Sequence, residues 1–350
     1  MHAVVILPHW VGDVVMSTPL LRALKSHWGP ATRITGVMRP MMAELLAGTN
    51  WLDDVLFYDR RSRQADRRFR SVARQLRAWR PDVAVIVPNS VSSAALAWLG
   101  GAKRRIGFSR PERRLLLTDP VPPRRRGWRL EPMSATEHGM ALAVRAGAAR
   151  GPLRLELATT PADEARVDDV LGRLFPAGDP AAPLVVFNDG GAYGPAKAWG
   201  ADKFVGLTRL LHAARPAARV LVHCGPGDRE EARRIAEAIG HPAVKSLADE
   251  PDLPFGLSKA LLKRAAAVVT SDSGPRHMAA AFDTPTVVLH GPMDPRLSES
   301  DHPRLVEMRL DLPCSPCGQR TCPLGHHDCM RRLSVEDVGA ALLRLLESSR

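Results

Sequence analysis

Short, almost unbroken apolar runs separated by longer stretches with apolar residues at helical spacing set the pattern of this chain. In the first half, residues 3–7, 33–37 and 82–87 read as strands. Residues 14–27 and 69–79 place apolar side chains three and four apart, as a helix burying one face requires. The second half repeats the theme, with strands at 184–187, 220–223, 267–270 and 286–289 and helices after Asp202, Asp228 and Pro275. Strands that are apolar on both faces and alternate with helices predict parallel sheets covered on both sides. The expected fold class is therefore α/β, with two doubly wound, Rossmann-like domains facing an interdomain cleft. A run of Pro, Gly, Ala and one Asp at 176–183 marks the expected boundary, giving domains 1–175 and 183–333. The tail 334–350 reads as a helix capped by Ser334 that packs back on the first domain, and 124–132 as an irregular loop.

A length of 350 residues is enough for two cores. No run reaches the roughly 20 apolar residues that span a bilayer. The apolar start lacks a basic leader and contains Asp13, which argues against a signal peptide and for a cytoplasmic protein. Lys and Arg total 49 against 37 Asp and Glu, a net charge of +12, and many of the Arg form runs such as 124–126. Such an excess calls for an anionic partner: nucleic acid, an anionic membrane or a phosphorylated substrate. No nucleic-acid module is recognisable and the Arg runs read as free of interleaved aromatics, so nucleic acid is not the expected partner.

In doubly wound sheets ligands bind beyond the carboxyl ends of the strands, and the candidate chemistry lies there. After strand 267–270 comes Ser271-Asp272-Ser273-Gly274-Pro275-Arg276-His277. A Gly turn opening a helix offers backbone N–H groups and a dipole to phosphate. Ser273, Gly274 and His277 suit a diphosphate, and Asp272 suits sugar hydroxyls; an ordinary helix capped by Ser273 fits the pattern equally well. After strand 184–187, the loop 188–199 contains three Gly, so that Gly191, Ala192, Tyr193 and Gly194 can bring backbone close to a donor, while Lys197 can neutralise a departing diphosphate. Glu230 could reach a ribose hydroxyl, although a solvated helix carboxylate has the same signature. Asp13, after the first strand, is placed to act as a general base, worth about 10²–10⁴-fold, or simply as a helix cap, with His9 as an alternative base. Among the Arg of the first half, Arg60, Arg105 and Arg113 are candidates to bind an acidic acceptor. Cys314, Cys317, Cys322 and Cys329 follow Cys-x2-Cys-x4-Cys-x6-Cys spacing, which suits either a structural zinc or a set of reduced, packed thiols.

Several motifs in order resemble one family. They are Gly12-Asp13 with Thr18-Pro19-Leu20, Arg105-Ile106-Gly107-Phe108 with Arg113, residues 191–199, residues 272–281, Gly291-Pro292-Met293-Asp294-Pro295, and the Cys segment 312–330. Together they resemble the family 9 glycosyltransferases, the ADP-heptose:lipopolysaccharide heptosyltransferases, over nearly the whole chain. The resemblance implies a GT-B fold and an inverting transfer that needs no catalytic metal or other cofactor. It implies ADP-heptose or a related nucleotide sugar as donor and a lipid-linked acidic glycan of the lipopolysaccharide inner core as acceptor. The enzyme would then lie at the inner face of the cytoplasmic membrane, in peripheral contact with anionic lipid. Asp13 matches the family's base, Lys197 the Lys at the donor diphosphate and sugar, Asp272 the donor-sugar Asp, and Ser273, Gly274 and His277 the diphosphate turn. Three departures stand out: Asp189-Gly190-Gly191-Ala192 where Pro-Gly-Ala is usual, Arg276 where an apolar residue is common, and Asp249 to Phe255, which reads as an insertion near the nucleotide pocket. The competing classes are another nucleotide-sugar transferase of the same fold, a non-catalytic anion or nucleic-acid binder, and a nucleotide-sugar epimerase or hydrolase. Residues 8–13 lack the Gly-x-Gly-x-x-Gly of a hydride-transfer epimerase.

Overall fold

The computed structural model describes residues 1–177, 179–191 and 193–348. The chain forms two compact units, Met1–Ala158 with Arg296–Asp301, and Thr159–Pro295 with His302–Arg350.

The first unit contains β1 (His2–Ile6), β2 (Arg33–Met38), β3 (Asp54–Phe57), β4 (Val83–Ile86), β5 (Arg104–Phe108) and β6 (Asp119–Val121). They form one parallel sheet in the order β3-β2-β1-β4-β5-β6, the doubly wound dinucleotide-fold order. Its core packs Val4, Ile6, Val37, Ala84 and Ile86 of the sheet against Val72 and Leu76 of the helix Phe69–Trp79 and Ala94 and Leu96 of the helix Val91–Leu99. Each of the Val, Ile and Leu side chains withdrawn from water contributes about 1.5–3 kcal/mol before entropy is counted, and the Ala less. Residues 124–132, expected as an irregular loop, include a small antiparallel hairpin instead, β7 (Arg125–Arg126) and β8 (Arg129–Leu130), turned at Gly127 with φ +63°.

The second unit repeats the plan with β9 (Leu184–Asn188), β10 (Arg219–Val222), β11 (Val244–Ser246), β12 (Ala267–Ser271), β13 (Thr286–His290) and β14 (Leu305–Arg309), in the order β11-β10-β9-β12-β13-β14. All residues of β9, β12 and β13 are buried, as strands covered on both faces require.

Two expectations about organisation are corrected. The division falls at Ala158–Thr159 rather than at 176–183. The helix Pro161–Leu174, opened by a capping box of Thr160 and Asp163, belongs to the second unit. Glu164 pairs there with Lys263 and Arg264, and Arg173 with Glu250. The last helix, Val335–Glu347, packs on the helix Ala201–Ala214 and on β12 and β13, all of the second unit, with Ser334 accepting from the Asp337 N–H at 3.0 Å as its cap. No helix among the described residues is long and apolar enough to cross a membrane.

Candidate active site

In the second unit β9 and β12 are hydrogen-bonded neighbours with Asn188 opposite Thr270, so the loops after them leave the sheet side by side. Asn188 Nδ2 donates to Thr270 Oγ1 and Ser273 Oγ, both at 3.2 Å, and Ser271 Oγ donates to the Gly190 carbonyl at 2.7 Å. His223 Nδ1 lies 3.1 Å from Asn188 Oδ1 and its Nε2 2.9 Å from Ser258 Oγ. Burial pushes this imidazole down to about 4, so it serves as a neutral spacer. Gly191 has φ +138°, and a Cβ there would lie 3.0 Å from the Ser273 Cβ. The two loops therefore meet closely only because residue 191 has no side chain.

Lys197 is buried. Its Nζ donates to the Asp272 carbonyl, lies 3.5 Å from Asp272 Oδ2, and sits 4.9 Å from the centre of the Tyr193 ring. The Tyr193 hydroxyl donates to the Gly318 carbonyl. Asp272 Oδ1 accepts from Arg276 Nη1 at 2.8 Å, Arg276 Nη2 donates to Glu307 Oε1 at 3.1 Å, and His290 Nε2 stands 3.1 Å from the same oxygen. Burial pushes the Asp272 carboxyl up, but Lys197 and Arg276 outweigh it and hold the group well below the usual carboxylate range. Burial, then Arg276, depresses His277 to about 3, so its ring is neutral; its Nδ1 has no hydrogen-bond partner among the described residues. Ser273 occupies the N-cap position of the helix Gly274–Ala281, yet its side chain makes no cap bond, and Pro275 is the second helical residue. The hydroxyl thus stays within the Asn188 network instead of closing the helix end. Arg276, Asn188, His290 and Glu307 are members of this site that the sequence left unassigned.

Asp189 fixes the base of the Lys197 loop: Oδ1 accepts from the Trp199 N–H at 2.7 Å and Oδ2 from the Gly200 N–H at 2.9 Å. Burial raises its carboxyl to about 6 against those two N–H donors, and the charged side chains it senses are Glu231 and Arg234 of the helix Arg229–Ile239. The folded state holds this proton more tightly than the unfolded chain, so Asp189 makes folding less favourable as pH rises from about 4 to about 6. Asp272 has the opposite sign: its contribution is present above about pH 4 and is lost as the pH falls through its depressed range. Protonating Asp189 weakens both loop-closing bonds. Donor KM is expected to rise as pH is lowered from about 7 to about 5, with an inflection near 6 that Asp189→Asn abolishes. A KM that stays flat across that interval in the native protein contradicts this role.

The Cys-rich segment braces the same loop from outside. The Ala196 N–H donates to the Arg320 carbonyl at 3.0 Å, His327 Nε2 lies 2.8 Å from the Ala196 carbonyl, and a Cβ at Gly194 would come within 2.7 Å of the Arg320 carbonyl. Cys314, Cys317, Cys322 and Cys329 are free thiols and line one cavity of about 20 Å³ with His326 and His327. As they stand, no three His, Cys, Asp or Glu among the described residues are arranged to hold a metal ion.

The other expected donor residues are placed less tightly. Glu230 is exposed in the first turn of the helix Arg229–Ile239 and outside the network above. Ala192 lies outside the described residues.

In the first unit Asp13 is half-buried in the first turn of the helix Val11–Met16. It does not cap that helix: Trp10 holds the cap position and makes no side-chain cap bond. The single helix expected over 14–27 is two, broken at Ser17 because Pro19 offers no N–H to the Val15 carbonyl, which Thr18 Oγ1 takes at 2.8 Å. Of the acceptor candidates, Arg60 is exposed. Arg105 is half-buried and donates through Nη1 and Nε to the Ala102 and Leu116 carbonyls at 2.7 and 2.8 Å. Arg113 is buried beyond the end of β4, with Nη1 on the Pro88 carbonyl at 2.5 Å and with Nε and Nη2 lacking partners among the described residues. Burial, reinforced by Arg110, lowers it to about 10, so it remains a cation at neutral pH.

Residues 69–327 match glycosyltransferase family 9 (heptosyltransferase). Lipopolysaccharide heptosyltransferase 2 of Salmonella typhimurium is 29% identical over 84% of this chain and 84% of its own length. Lipooligosaccharide heptosyltransferase 2 of Campylobacter jejuni is 30% identical over a stretch covering 47% of this chain and 52% of that protein. Among solved structures, the Escherichia coli ADP-heptose lipopolysaccharide heptosyltransferase II superimposes with a TM-score of 0.76 at 24% identity, covering 99% of both chains, and so shares the fold of two doubly wound sheets.

Proposed function

The chain belongs to glycosyltransferase family 9, the heptosyltransferases, and from that membership we infer that it transfers a heptose from ADP-heptose to the inner core of lipopolysaccharide or a related lipid-linked glycan. The observation that supports this reading best is the buried Lys197–Asp272–Arg276 network at the adjoining ends of β9 and β12. A cation there balances the charge that grows on a departing diphosphate, and a carboxylate fixed beside it can accept hydrogen bonds from sugar hydroxyls. Gly191, Tyr193, Gly194, Ser273, Gly274 and the neutral His277 complete the proposed donor cradle, to which Ala192 and Glu230 are also assigned.

In the proposed step an acceptor hydroxyl attacks the anomeric carbon from the face opposite the diphosphate. The new C–O bond forms as the bond to phosphate breaks, ADP departs with the electron pair, and the hydroxyl proton passes to Asp13. The anomeric configuration inverts. The chain's own side chains supply the acid–base and charge chemistry, so no catalytic metal enters the step. Arg113, with Arg60 at the surface and Arg105, whose Nε and Nη1 are already on backbone carbonyls, is proposed to meet acidic groups of the acceptor. We place the enzyme at the cytoplasmic face of the inner membrane, peripherally bound, because its acceptor is lipid-linked and its net charge is +12.

Incubation with ADP-heptose and heptose-deficient lipopolysaccharide tests the function. The expected product gains one heptose by mass and one equivalent of ADP is released. Transfer only from a different nucleotide sugar would replace the donor assignment, and ADP release that ignores the acceptor would make the protein a hydrolase.

The four thiols at one cavity also support a structural zinc as a proposal. Elemental analysis of the purified protein is expected to give one zinc per chain; four thiols titrating freely in metal-free, active enzyme would reject it.

A further inference from the structure

The hairpin β7–β8 does nothing for the core of the first unit. Residues 124–132 are all exposed, with Trp128 92% and Leu130 57% accessible. A bare indole is an unusual thing to leave in water, because an aromatic side chain is worth most when its apolar body is covered. This one is held out by a defined turn: Gly127 takes φ +63°, Arg125 Nη1 donates to the Trp128 carbonyl at 3.1 Å, and the Glu131 N–H donates to the Arg124 carbonyl at 3.1 Å. The charge around it has one sign. Arg124, Arg125, Arg126 and Arg129 share this stretch with a single acid, Glu131, and among the described residues only Arg124 pairs with an acid beyond it, Glu137 at 3.6 Å. Trp128 therefore stands between Arg126 and Arg129, an interleaving of aromatic and base that the reading of the Arg runs overlooked.

We propose that this hairpin is a membrane anchor that lays Trp128 and Leu130 into the headgroup region of an anionic bilayer while Arg125, Arg126 and Arg129 pair with lipid phosphates. The inference rests on the peripheral, lipid-acceptor reading above and adds the surface that makes the contact. An amphipathic indole settles at the boundary between headgroups and acyl chains. Each basic residue at an anionic surface strengthens binding roughly fivefold. A bilayer uses both features of the hairpin at once. A nucleic acid would use the Arg and one stacking ring but has no use for the neighbouring Leu130.

Flotation of the full-length protein with vesicles of phosphatidylethanolamine and phosphatidylglycerol, and with pure phosphatidylcholine vesicles, is the test, run beside Trp128→Ala and Arg125→Ser/Arg126→Ser. All three positions are exposed, so folding is not at stake, and transfer to detergent-dispersed acceptor is expected to match the native enzyme in each variant. The native protein is expected to bind the anionic vesicles and not the neutral ones. Trp128→Ala should bind about tenfold more weakly. The double Arg variant should lose about as much and show a shallower dependence on salt. Native binding that both variants retain in full overturns the hairpin assignment and leaves the peripheral reading standing. Failure of the native protein to bind any vesicle removes both. Arg-dependent binding to an oligonucleotide, with vesicles ignored, would transfer the surface to a nucleic-acid partner.

Discussion

Replacing Lys197 by Met is expected to slow heptose transfer by about 10²–10³-fold, the usual cost of losing one fixed donor at a site of growing negative charge. Met fills most of the space of the Lys stem but removes the cation and its contact with the Tyr193 ring. Asp272 keeps Arg276 as its partner at 2.8 Å, so the carboxylate is not stranded and the fold should survive. The charge on the leaving diphosphate is larger in the transition state than in the bound donor, so the loss should fall mainly on kcat. Initial rates at saturating acceptor, with circular dichroism to confirm folding, make the comparison. A folded variant within about threefold of the native rate would remove Lys197 from the proposed step.

Asp13→Asn is the second large effect. The amide matches the carboxylate in shape but cannot take the acceptor proton, so kcat should fall by about 10²–10⁴-fold. ADP affinity should stay at the native value, because the proposed donor cradle is built entirely from the second unit. That split separates a base from a structural residue: a helix that merely needed Asp13 for stability would show a lower melting temperature instead. Full turnover by the variant would reassign the base, with His9 the next candidate; burial, then Arg39, holds its ring below the usual histidine range.

The central strands were legible because they are apolar on both faces, and the motifs were legible because they follow those strands. What escaped has physical reasons. β14 carries Glu307 and Arg309 among its apolar residues and lies at the sheet edge, so its composition is not that of a buried strand. The domain boundary was placed at a Pro- and Gly-rich stretch, whereas packing decides it: the helix Pro161–Leu174 carries Asp163, Glu164 and Arg173, whose partners Lys259, Lys263, Arg264 and Glu250 lie far along the sequence. Within the site, Lys197 and Asp272 could be named from their motifs, but not their contact, which spans 75 residues. Arg276 and Asp189 were visible only as departures from a family pattern. Their roles depend on Glu307, 31 residues beyond Arg276, and on the Trp199 and Gly200 N–H groups, and no local pattern reports such partners. The exposure of Trp128 was equally hidden, because a Trp is more often a core residue than a surface one.

The donor cradle is the central claim, and calorimetric titration of ADP into the native protein and into Lys197→Met tests it most directly. Saturable binding at one ADP per chain, weakened at least about tenfold by the substitution, is the predicted result. No binding to the native protein, or equal affinity in the two, would contradict it.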